Sequence, residues 1–139
     1  MKLLVNILFV FIACTSPKKY AGTDNNEGYI ITSSGLKYKI LKKGTGESAK
    51  AGQEVLIFET TGYLNGTVLY TNENTTQPIN VLIGGNQATD AVDEALRGMQ
   101  TGEIRKLIAP PELVKRKTYP AYLSPDSALT IKIILYKIL

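Results

Sequence analysis

Leu36, Tyr38 and Ile40 alternate with Lys37 and Lys39, the period of two that puts apolar side chains on one face of a half-buried strand. Gly44 and Gly46 end that run. Residues 55–61 are rich in β-forming side chains, and Asn65-Gly66 predicts a tight hairpin into residues 67–71. Residues 79–83 stop at Gly84-Gly85, and residues 104–109 and 129–138 bring the total to about five or six strands. The period changes once. Val92, Ala95, Leu96 and Met99 stand at i, i+3, i+4 and i+7, which places all four on one helical face. Thr89 or Asp90 can cap its start, Asp93 and Glu94 complement the macrodipole, and Gly102 suits the left-handed position past its end. Many antiparallel strands with a single short helix predict an α+β domain whose sheet wraps that helix.

The start of the chain follows neither period. After Met1-Lys2 comes an apolar run, residues 3–12, of the length of a secretory signal's hydrophobic region and far short of the ~20 residues of a membrane span. Ala13 and the chain's single cysteine, Cys14, follow directly. The segment resembles a bacterial lipoprotein signal, with cleavage after Ala13 and lipidation of Cys14; Phe11 departs from the aliphatic residue usual there. The other reading is an incidental cysteine in an ordinary signal peptide. A lone cysteine excludes an internal disulfide in either case. The expected organisation is a signal peptide over residues 1–13, a lipidated start and flexible tether over 14–31, and one folded domain over 32–139.

Charge changes this picture little. The formal +4 is spread over Lys42-Lys43, Arg105-Lys106 and Lys115-Arg116-Lys117, with no stripe and no alternating aromatics. A solvated basic surface fits better than a nucleic-acid interface. Residues 115–117 would favour anionic headgroups if a membrane lay within a Debye length.

One series of short motifs carries chemistry. It runs Ser34-Gly35-Leu36-Lys37-Tyr38, Gly44-Thr45-Gly46, Ala51-Gly52-Gln53-Glu54-Val55, Thr61-Gly62-Tyr63-Leu64, Gly98-Met99-Gln100-Thr101-Gly102-Glu103 and Lys106-Leu107-Ile108-Ala109-Pro110-Pro111-Glu112-Leu113. In this order and spacing it resembles the FKBP family of peptidyl-prolyl cis-trans isomerases. The resemblance implies an FKBP-like sheet around one helix, proline-containing polypeptide segments as partners, and no cofactor, metal or nucleic acid. Prolyl isomerisation must overcome a rotation barrier of ~18–20 kcal/mol, and a dry apolar bowl that binds the twisted amide better than the planar one suffices.

The bowl is where this chain departs from the family. Thr60 falls at the tyrosine before the Thr-Gly pair, and Leu69-Tyr70 replaces a Phe-Asp pair, removing the pocket carboxylate. Ile79 stands for a phenylalanine, Val92 for the floor tryptophan, and Ile131 for the phenylalanine of the last strand; the tyrosine after Pro-Glu-Leu falls at or near Lys115. The backbone N–H that meets a ligand carbonyl would belong to Thr89. Leu69, Ile79, Val92 and Ile131 either converge as an apolar depression or simply fill the core. Tyr119, Pro120, Tyr122 and Pro125 lie where the family has a flap, and either touch peptide or pack the loop down. Two functions follow. One is a lipid-anchored isomerase of weak activity in a bacterial envelope, acting on exported proteins; the other is a non-catalytic binding or scaffold module of an envelope complex.

Overall fold

The alternating segments pair edge to edge in the computed structural model, which describes residues 28–139. The elements are β1 (Ile30–Ile31), β2 (Lys37–Lys42), β3 (Thr45–Ser48), β4 (Glu54–Tyr63), β5 (Val68–Thr71) and β6 (Ile79–Leu82). The helix α1 (Asp90–Leu96) is followed by β7 (Gln100–Thr101), β8 (Ile104–Ala109) and β9 (Leu129–Ile138). The main sheet has seven antiparallel strands in the order β1-β2-β8-β9-β4-β5, and β6 pairs with the first half of β4. β3 and β7 form a separate ribbon. The α+β expectation therefore holds. Of the strands it lacked, β1 and β7 are two residues each, too short to show a period, and β3, Thr-Gly-Glu-Ser, has no apolar residue to mark one.

Residues two apart along β4, β8 and β9 build the core. Val55, Ile57, Leu107, Leu129, Ile131, Ile133 and Leu135 are all at most 1% exposed and form one cluster with the helix. α1 contributes Ala91, Val92, Ala95 and Leu96, and packs on β8 and β9. Each Leu or Ile so buried stabilises the fold by about 1.5–3 kcal/mol relative to exposure.

Three expectations change at the ends of elements. The helix stops after Leu96, and Gly98, at φ 83°, takes the left-handed position there, a conformation glycine adopts without a Cβ clash. Gly102 instead turns between β7 and β8, where Glu103 N–H donates to the Gln100 carbonyl at 3.0 Å. Met99 is thus outside the helix, yet it is fully buried. It reaches the core because Gly98 and Met99 exchange backbone bonds with Ala49, both 2.8 Å. The fold also begins before residue 32: Tyr29 is buried and Ile30 pairs with Tyr38. The apolar run of residues 3–12, Cys14 and most of the tether lie outside the described residues.

Arg105, counted from sequence as surface charge, lies inside. It is 9% exposed, ion-paired with Glu103, and 5.0 Å from the centre of the Tyr38 ring. Its guanidinium donates to the Ala95 carbonyl at 2.9 Å, satisfying a helix-end acceptor that lacks an intrahelical partner. The other Glu103 oxygen accepts from Gln100 N–H at 2.9 Å.

Candidate functional site

Two hollows open side by side on the helix side of β4. The first, about 330 Å³, is walled by Leu69 and Tyr70 of β5 and by Pro120 and Tyr122 of the segment joining β8 to β9. The second, about 400 Å³, lies between Ile79 and Val81 of β6, Thr89 just before α1 and Val92 within it, and Lys115–Lys117. Glu59 and Arg116 border both, so a single extended ligand can run from one into the other.

Most of the residues singled out from sequence meet here. Leu69, Tyr70 and Tyr122 line the first hollow; Ile79, Thr89, Val92 and Lys115 line the second. Two do not. Ile131 is 1% exposed and lies in the core, lining neither hollow. Thr60 turns to the opposite face of the sheet, because consecutive side chains on a strand alternate. Its hydroxyl donates to Glu73 Oε1 at 2.6 Å and shares a 2.7 Å bond with Thr71. There Glu73 also accepts from Lys132 Nζ at 2.7 Å. Burial alone would raise the Glu73 pKa, but the bonds from Lys132 and Thr60 and the lysine charge outweigh it and hold the carboxyl below its usual value.

The neighbours of Thr60 take its place. Glu59 and Thr61 face the first hollow, and Thr61 Oγ1 donates to Glu59 Oε1 at 2.7 Å. A carboxylate is therefore present, supplied by β4 and not by the position that Tyr70 occupies. Asn72, buried in the gap between β5 and β6, fixes the Glu59 backbone: its Oδ1 accepts from Glu59 N–H at 2.7 Å, and its own N–H donates to the Glu59 carbonyl at 3.2 Å. Glu59, Thr61, Arg116 and Asn72 were not legible as site residues. The alternation of β4 carried the signal for the first two, once its register was known.

Thr89 occupies the helix N-cap, but its hydroxyl makes no cap bond. Its Oγ1 is buried without a hydrogen-bond partner among the described residues, which leaves a polar atom unsatisfied at the border of the second hollow. The flap tyrosines divide their roles. Tyr119 packs against the core and its hydroxyl accepts from Arg116 N–H at 3.2 Å. Tyr122 is 65% exposed, and its backbone is pinned: Tyr63 Oη donates to the Tyr122 carbonyl at 2.7 Å and accepts from Ser124 N–H at 3.0 Å. Tyr122 is thus free to meet a ligand while the segment under it stays fixed.

An antiparallel sheet curled round one short helix, with an open bowl between the helix start, the sheet and a long flap, defines an FKBP-like protein. The comparisons agree. The family model for FKBP-type peptidyl-prolyl cis-trans isomerases matches residues 45–136. The peptidyl-prolyl cis-trans isomerase Mip of Coxiella burnetii is 31% identical over 114 residues, 78% of this chain and 47% of that protein. The chloroplastic peptidyl-prolyl cis-trans isomerase FKBP19 of Arabidopsis thaliana is 36% identical over 97 residues, 61% of this chain and 38% of that protein. The crystal structure of FkpA from Escherichia coli shares the fold at a TM-score of 0.71 and 24% identity, over 81% of this chain and 52% of that one. The chain belongs to the FKBP-type peptidyl-prolyl cis-trans isomerase family. It spans less than half the length of the two curated relatives named.

Proposed function

We propose that this protein binds proline-containing segments of exported polypeptides in the paired hollows and isomerises them slowly, held to a bacterial envelope membrane by lipid on Cys14. The observation that carries the binding site is the convergence of Leu69, Tyr70, Tyr122, Ile79, Val92 and Thr89 around a shared Glu59–Arg116 border. Apolar walls can take a proline ring and its neighbours, and Thr89 at the helix start offers polar atoms for a peptide carbonyl. Isomerisation needs no nucleophile; it needs walls that fit the twisted amide better than the planar one.

Slow turnover follows from the same walls. Aliphatic side chains replace flat aromatic ones at Leu69, Ile79 and Val92. If three lost aromatic contacts are each worth about 1 kcal/mol in the transition state, the rate falls roughly a hundredfold. The test is prolyl isomerisation of a short Xaa-Pro peptide by wild type and by the combined variant Leu69→Phe, Tyr70→Asp, Val92→Trp. Wild type should be measurable but slow, and the variant faster; single changes would say little, because pocket residues act as a unit. A wild-type rate equal to that of an aromatic-lined relative would refute the slow-enzyme reading. Peptide binding without any turnover would favour the scaffold reading, which the missing aromatics support.

The anchor is tested separately. Cys14→Ala should release the protein from membranes or block its processing, as one acyl chain alone holds only weakly and a lipoprotein cysteine carries more. Unchanged fractionation and migration would rule the lipid anchor out.

A further inference from the structure

The face of the sheet turned away from the helix is dominated by lysine, with Glu73 at its margin paired to Lys132. Strand registers arrange this face in three rows across β2, β8, β9 and β4. One row reads Lys37, Ile108, Thr130, Gly62; the next Lys39, Lys106, Lys132, Thr60; the third Lys42, Ile104, Ile134, Phe58. Five of these positions are lysines and none is aspartate or glutamate. Three lysines stand directly opposite one another in the middle row, an arrangement that costs stability, because like charges on facing strands repel. Lys132 is relieved from outside the rows by Glu73. Lys106, between its neighbours, is exposed and makes no ion pair among the described residues.

Beside the third row sits an aromatic pair. Phe58 and Tyr136 meet edge to face with ring centres 5.7 Å apart, and Tyr136 is 55% exposed. Lys137 and Leu56 continue the same margin, paired across β9 and β4. Lysines spread over a broad sheet face, with an exposed tyrosine at its edge, match the charge and polarity of a lipid headgroup layer.

We propose that this outer face docks on an anionic lipid bilayer. The choice of lipid over other polyanions rests on residue type. All five cations of the rows are lysines, compact charges without the planar fork that reads individual phosphates or bases, and the exposed aromatic beside them, Tyr136, stands at one margin instead of alternating with them for stacking. The position of the chain's entry agrees. Tyr29, beside the first described residue, lies under Lys39, with the Lys39 Nζ 5.9 Å from its ring centre. Gly28, the first described residue, therefore stands at the edge of this face. The thirteen residues 15–27 reach at most about 45 Å when extended. A lipid at Cys14 would hold the face within that distance of a membrane, but docking does not depend on it. With the lysine face on the bilayer, the paired hollows on the opposite side of the sheet stay open to polypeptide.

The test uses the chain from Thr15 onward, which lacks the apolar run of residues 3–12 but keeps every core residue among the described residues, all at or beyond Tyr29. Its binding to vesicles of phosphatidylglycerol and phosphatidylcholine is measured by sedimentation against vesicles of phosphatidylcholine alone. Binding should require the anionic lipid and fall steeply with salt. Each lysine near such a surface contributes about fivefold, so Lys37→Gln with Lys106→Gln should weaken binding roughly 25-fold without moving the melting temperature. Lys115→Gln with Lys117→Gln should change it little, since both line the second hollow. Equal binding to both vesicle types would overturn the proposal. So would a loss confined to the Lys115 and Lys117 variant, or binding to a polynucleotide in place of vesicles.

Discussion

Met99→Asp should leave the protein unfolded, or melting some 20 °C or more below wild type. Met99 is fully buried in the main cluster although it stands outside the helix. Removing a buried side chain of this size costs about 2–5 kcal/mol, and burying an unpaired carboxylate adds to that. A domain of this kind has only about 5–15 kcal/mol in all, and each kcal/mol lowers the midpoint by about 4–8 °C in a domain of this size. Thermal melting followed by circular dichroism reads the effect. Met99→Leu, nearly equal in volume, should cost less than about 1.5 kcal/mol and serves as the control. If the aspartate variant melts like wild type, this residue is not in the core.

Arg105→Ala should be almost as damaging, with about 3–5 kcal/mol lost. The substitution strands the buried Glu103 carboxylate and leaves the Ala95 carbonyl at the helix end without its donor. Breaking one partner of a buried pair costs far more than the pair itself contributes, because the remaining charge has lost its water and gained nothing. Replacing both, as Glu103→Gln with Arg105→Met, should therefore recover much of the loss. Equilibrium denaturation of the three proteins makes the comparison. A single variant within 1 kcal/mol of wild type would mean that the pair is solvated. A double variant no better than the single would mean that the guanidinium's bond to the helix matters more than the charge balance.

These two residues also mark where sequence reading stops. Met99 was placed on the helix by its spacing, and its burial follows, but the helix ends before it. Burial was legible because an apolar residue in a periodic stretch belongs inside whatever local backbone carries it. The end of the helix was not, since Gly98 and Gly102 are both plausible stops and only the pairing of Gly98 and Met99 with Ala49 selects the first. Arg105 reads as surface charge next to Lys106, and nothing local distinguishes the two. They differ because strand alternation points one at the helix and the other at solvent.

The site shows the same division. Seven of the nine pocket positions taken from the family resemblance line the hollows, because motif order fixes which strand and which turn each belongs to. Thr60 fails by one residue, and on a strand one residue is the whole difference between the two faces. The Glu59 carboxylate was invisible for the same reason.

Sequence by itself determined the α+β architecture, the long strands, the single helix and the apolar set that closes around it, since each rests on a local period and on turn residues. Tertiary structure alone decided which β4 side chains enter the hollows, how Asn72 bridges the gap between β5 and β6, and where the lysines meet. Lys39, Lys106 and Lys132 come from three distant segments, and only the register between strands brings them into one row. Such a register is a property of pairs of strands, and no single stretch of chain contains it.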